Sequence, residues 1–147
     1  MLTGEFHHSL DAKGRVFVPA RWRDELQEGV FVTAGLEKCL FLMSRPHFES
    51  RAAQLETVSM NQKVQRDHNR LFFSTASQEQ IDRSGRITVP ASLREYAGLS
   101  KDVILIGVST RAEVWDAAAW EQYKRGIESD YEQIAERLDT SSPARKE

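Results

Sequence analysis

Two short stretches carry side chains whose types and spacing could do chemistry. Asp11-x-x-Gly14-Arg15 and Asp82-x-x-Gly85-Arg86 each set a carboxylate four residues before a guanidinium, with a glycine between them. A guanidinium is a planar fork of N–H donors that fits phosphate oxygens or a guanine edge, and a neighbouring carboxylate can hold the fork in one orientation. The plainer reading is a turn-stabilising ion pair, worth about 0–1 kcal/mol when exposed. The two readings are compatible, because an aspartate can steady an arginine that also binds. Lys13 and Arg83 add positive charge inside the same loops, and Arg21, Arg23 and Arg94 follow closely. For those last three, phosphate contact and simple solvation of a helix face stand as equal alternatives.

Other chemistry finds little support. A metal or enzyme site would have to draw on His7, His8, His47, His68 and Cys39. His7 and His8 are adjacent, so on a strand they would point to opposite faces. Cys39 lies in an apolar run, where a buried, inert thiol is expected. No Gly-rich phosphate loop, His-Glu-x-x-His or Gly-x-Ser-x-Gly occurs. No catalytic residue, metal site, cofactor or small-molecule substrate is expected.

The elements that hold the two charged turns come as a repeat. Residues 10–24 read LDAKGRVFVPARWRD and residues 81–95 read IDRSGRITVPASLRE. Aligned at an offset of 71, they share Asp11/Asp82, Gly14/Gly85, Arg15/Arg86, Val18/Val89, Pro19/Pro90, Ala20/Ala91 and Arg23/Arg94. Those seven identities compare with about one expected from average residue usage. Looser similarity follows. The apolar runs Val30–Val32 and Val103–Ile106 have strand character, and each is followed by a second run, Cys39–Leu42 and Ala112–Trp115. One copy of about 70 residues would be marginally stable alone, so the copies are expected to pack on one another.

Within each copy, Asp suits the first position of a type I turn and Gly the last. With alternating residues on either side, this predicts a hairpin. Pro19 and Pro90 end the second strand and suit the start of a short helix, Ala20–Leu26 and Ala91–Ala97, with Gly29 and Gly98 as stops. Further helices are expected from Phe48 to about Val58 and from about Gln62 to Phe72. A last one starts near Asp116, where Trp120, Tyr123, Ile127, Tyr131, Ile134 and Leu138 recur at steps of three or four.

The chain has 147 residues, 40% hydrophobic and 29% charged, enough apolar material for a core. No stretch approaches the roughly 20 apolar residues that span a bilayer. The opening residues lack the pattern of a secretion signal, and one cysteine cannot form an internal disulfide. A cytoplasmic protein without membrane association is the expectation. Net charge is −2, which excludes a uniformly basic coat but not one positive face. Residues 11–23 carry a local balance of +3 and residues 82–94 of +2, whereas residues 111–147 carry −3. The positive charge collects on the repeated turns. A basic two-stranded ribbon fits the major groove of DNA.

The doubled Asp-x-x-x-Arg element followed by Val-Pro, with the opening Gly4-Glu5-Phe6-His7-His8-Ser9-Leu10-Asp11, resembles the MraZ family from Met1 to about Leu138. These are bacterial transcriptional regulators with two AbrB-like swapped-hairpin modules per chain. The resemblance implies an α+β fold in which the modules interlock into a small, double-psi-like β-barrel core with flanking helices. It implies a first module over 1–75 with a helical extension, a second over 76–138 with a C-terminal helix, and a flexible tail over 139–147. It further implies a nucleoid-associated, ring-shaped homo-oligomer that binds double-stranded DNA at promoter direct repeats. The target would be the division and cell-wall gene cluster, its own promoter included, with repression as the usual outcome. The family motif falls on Asp11 and Arg15 and on Asp82 and Arg86, with Gly14 and Gly85 completing the turns and Lys13 and Arg83 as neighbouring DNA contacts. AbrB-like folds also serve as the DNA-binding halves of antitoxins, which makes a module binding a small protein partner the rival reading.

Overall fold

The computed structural model describes residues 1–141. The chain forms two compact units, one spanning Met1–Ala117 and one beginning at Ala118. In chain order the strands are β1 (Glu5–Ser9), β2 (Arg15–Phe17), β3 (Val30–Ala34), β4 (Leu40–Ser44), β5 (Ser77–Glu79), β6 (Arg86–Thr88), β7 (Asp102–Val108) and β8 (Arg111–Asp116). The helices are α1 (Arg23–Leu26), entered through a 3₁₀ turn at Ala20–Trp22, then α2 (Arg45–Glu56), α3 (Lys63–Ser74), α4 (Ala91–Tyr96) and α5 (Ala117–Ser141).

Six strands form one sheet in the order β1-β7-β8-β4-β3-β5, and β2 and β6 form a separate antiparallel ribbon. Exchanging each strand for its repeat partner, β1 for β5 through β4 for β8, reverses the six-stranded order and leaves it unchanged. The ribbon maps onto itself, with Val16 opposite Ile87 at its centre. The tandem repeat has therefore folded as an internal twofold. The protein is α+β, and its two small barrel-like modules interlock.

This interlocking corrects the hairpin expected within each copy. Each Asp-x-x-Gly turn does close, with Asp11 N–H donating to Arg15 O and Asp82 N–H to Arg86 O. The flanking strands then part. β1 pairs with β7, β5 with β3, and β2 with β6. The physical reason lies in the short strands that the prolines terminate. Three residues cannot bury a face alone, but crossed over they place Val16, Val18, Ile87 and Val89, all essentially inaccessible, in one core with Val30, Val32, Val103 and Leu105. Trp22 completes it, with its indole N–H donating to Thr3 O at 3.0 Å.

A second apolar cluster lies on the first copy's side. α2 starts at Ser44, whose hydroxyl accepts from His47 N–H, with Pro46 in the first turn. Phe48 of α2 stacks on Phe31 of β3 at 4.2 Å and on Phe72 of α3 at 5.6 Å. Helix α5 runs through Ser141, so the first three residues of the expected tail are helical; the remainder of that tail lies outside the described residues. No described helix is long and apolar enough to cross a membrane.

Candidate nucleic-acid interface

The two charged turns repeat one another atom for atom. Asp11 Oδ1 accepts the backbone N–H groups of Lys13 and Arg15, both at 2.9 Å, and its Oδ2 accepts Arg15 Nε at 2.7 Å. Asp82 Oδ1 accepts from the backbone of Ser84 and Arg86 at 2.9 Å, and its Oδ2 from Arg86 Nε at 3.0 Å. Each aspartate thus shapes its turn and aims its arginine together. The backbone N–H of Arg15 is the main cause that lowers the Asp11 carboxyl to about 2, helped by the guanidinium bond. Asp82 is lowered in the same way, first by the backbone N–H of Arg86. Both carboxylates stay ionised at any pH where the protein would work.

The aspartate bond uses only Nε of each guanidinium, so the terminal nitrogens keep donors for a ligand. Side-chain exposure is 29% for Arg15 and 25% for Arg86, neither buried nor fully extended into solvent. Strand alternation explains this placement. Val16 and Ile87 point into the core, and Arg15, Phe17, Arg86 and Thr88 lie on the ribbon's other face. In the register, Arg15 sits opposite Thr88 and Phe17 opposite Arg86, so the two arginines are diagonal across the ribbon. Arg86 lies 5.9 Å from the Phe17 ring centroid, and its Nη1 is 3.8 Å from Asp11 Oδ2. The fold has brought the two motifs into one charged cluster.

Two further arginines join it by crossing between copies. Arg23 Nε donates to Val18 O and Arg94 Nε to Val89 O, each at 3.0 Å. From these anchors, Arg94 lies over Gly14 of the first turn and Arg23 over Gly85 of the second. Both glycines have positive φ, +78° and +89°, and a Cβ at Gly14 would stand 2.7 Å from Arg94 Cζ. Glycine is needed there twice over, for the left-handed backbone and for the room the guanidinium occupies.

The family model described as MraZ protein, antitoxin-like, matches residues 1–71 and again residues 72–141. The chain belongs to the MraZ family. Among its relatives, the transcriptional regulator MraZ of Thermoanaerobacter sp. (strain X514) is 45% identical over 139 residues, covering 95% of this chain and 97% of that one. The proteins of the same name from Acetivibrio thermocellus and Thermobifida fusca are 45% and 44% identical over 138 residues, covering 94% of this chain and 96% of theirs.

In this MraZ chain the remaining cations differ in their placement. Lys13 and Arg83 are exposed at the turns but not at equivalent positions, since Lys13 aligns with Ser84 and Arg83 with Ala12. Arg21 stacks over Phe6 at 5.4 Å and does not cross to the opposite turn. Lys101 and Arg94 line a groove of about 530 Å³ beside Asp11. Sequence reasoning left Arg23 and Arg94 undecided and passed over Phe17. The identity Arg23/Arg94 within the repeat was the available signal, but its meaning depended on the crossover of the ribbon.

Proposed function

We propose that this chain is a sequence-specific regulator that binds double-stranded DNA through the outward face of the β2–β6 ribbon. Arg15 and Arg86 act as the base- and phosphate-contacting forks, Asp11 and Asp82 hold them, and Gly14 and Gly85 shape the turns. Arg23 and Arg94 clamp phosphates across the twofold, and Lys13 and Arg83 add contacts at the tips. The observation that carries this reading is the meeting of both aspartate-held arginines on a single ribbon of groove-fitting width, on a chain that is acidic elsewhere. Residues 1–75 and 76–138 serve as the two modules. Several chains assemble into a ring that presents the ribbon repeatedly to promoter direct repeats. Linked sites then let weak individual contacts add up. The target is the division and cell-wall gene cluster, including the chain's own promoter, and the usual effect is repression. Such work belongs in the cytoplasm, at the nucleoid.

The test is an anisotropy titration of the chain's own upstream region across a salt series. The logarithm of affinity should fall linearly with the logarithm of salt, by about 0.9 per phosphate neutralised. A flat response contradicts the reading. Stoichiometric capture of a small protein with no promoter retention would favour an antitoxin-like partner module instead.

A further inference from the structure

We propose that a cavity between α2, β4 and the start of β8 binds a small amphipathic organic anion, a carboxylate or phosphate monoester carried on an apolar body. The cavity measures about 350 Å³, at the lower end of ligand-sized pockets and large enough for a molecule up to nucleoside monophosphate size. Its walls are divided by chemistry. Phe41, Met43 and Leu36 provide the apolar part, and Leu36 stands 59% exposed, so a ligand body would cover it. Arg51, Arg111 and His47 provide the polar part, and no Asp or Glu is among the described residues that line the cavity. Arg111 is paired with Glu113 and His47 Nδ1 lies 3.8 Å from Glu25 Oε2, but neither carboxylate lines the cavity. Arg51 makes no ion pair among the described residues, so the lining presents an excess of cation that favours an anion.

Arg111 and His47 are held in place before any ligand arrives. Arg111 Nε donates to Glu113 Oε2 at 2.9 Å, and its guanidinium lies 4.9 Å from the Phe41 ring centroid. Glu113 is itself buried and accepts from Trp115 Nε1 at 2.9 Å. That chain of contacts fixes the arginine while leaving its terminal nitrogens as donors. His47 Nδ1 is engaged with Ser44 Oγ at 3.0 Å, which leaves Nε2 as the ring nitrogen available to a ligand. Arg51 follows His47 by one helical turn, so both project from the same face of α2. Preorganised donors of this kind reduce the ordering cost of binding. None of these residues belongs to the charged turns, so the site is separate from the DNA surface.

The experiment is calorimetric titration of the full chain with phenyl phosphate, benzoate, inorganic phosphate and benzylamine. Phenyl phosphate and benzoate should bind saturably, at least about fivefold tighter than inorganic phosphate, and benzylamine should not bind. Arg51→Ala, at an exposed position, should weaken phenyl phosphate about tenfold or more, whereas Arg15→Ala/Arg86→Ala should leave it unchanged. Arg111→Lys, which keeps the charge but loses the fork, should also weaken it. The proposal is overturned if neither organic anion saturates, if benzylamine binds as well as they do, or if Arg51→Ala keeps full affinity. Loss of phenyl phosphate binding in the Arg15/Arg86 variant would likewise overturn it, by moving the anion to the turns. Promoter affinity of Arg51→Ala stays at the wild-type level, so failure here leaves the DNA reading intact.

Discussion

Asp11 does two jobs with one carboxylate, accepting two backbone N–H groups through Oδ1 and one guanidinium N–H through Oδ2. Its carboxyl is depressed from 3.8 to about 2, so the stabilisation it gives is complete above pH 4 and fades as pH falls toward 2. Asn keeps the acceptor oxygen but removes the charge. Asp11→Asn/Asp82→Asn should therefore flatten the acid limb of a pH-dependent thermal melt in that window, and should weaken promoter binding by releasing Arg15 and Arg86. Melting curves and anisotropy on the same variant check both halves. Unchanged affinity would reduce the aspartates to turn residues. Arg23 and Arg94 make a separate prediction. If each clamps a phosphate across the twofold, Arg23→Ala should weaken binding about equally on specific and unrelated DNA and lower the salt slope by about 1. A change confined to the specific sequence would instead make it a base reader.

The β2–β6 ribbon is where the site depends on the fold. Its inward residues, Val16 and Ile87, are 1% exposed, and its outward residues carry the charge, so packing on one side sets the aim on the other. Ile87→Ala should cost about 2–5 kcal/mol of stability, read by urea denaturation. It should also reduce promoter affinity under conditions where the chain is still folded, because the ribbon loses its seat. Much of this was legible in the sequence. The repeat, the Asp-Gly-Arg turns, the prolines and the helical spacings of α2, α3 and α5 are local signals, and the elements formed where those signals placed them. Strand partnership was not legible in the local residue pattern, and only the family resemblance implied interlocked modules. A turn sequence specifies that the chain reverses, but whether β2 pairs with β1 or β6 depends on which arrangement buries Val16, Val18, Ile87 and Val89 together. For the same reason the positions of Arg23 and Arg94 over the opposite turns could not be read from one copy alone.

The strands of the Met1–Ala117 unit reach the symmetry of a dimer within a single chain, since exchanging the two copies returns the same strand order. One chain therefore offers one ribbon with both motifs, and more ribbons require more chains. Helix α5 carries apolar side chains at steps of three or four, of which Tyr131 is 68% and Ile134 39% exposed. An apolar stripe of this kind on a charged helix suits contact between copies. Tyr131→Glu should shift the assembly to smaller species in light scattering and reduce affinity for repeated DNA boxes far more than for a single box. Equal losses on both would separate α5 from assembly.

The most direct measurement is the promoter affinity of Arg15→Ala/Arg86→Ala, taken alongside its oligomeric state. The paired aspartate-held arginines predict an unchanged assembly with a loss of about 1–3 kcal/mol per arginine and a smaller salt slope. An intact assembly that still binds the promoter with wild-type affinity would contradict the ribbon as the DNA-binding surface.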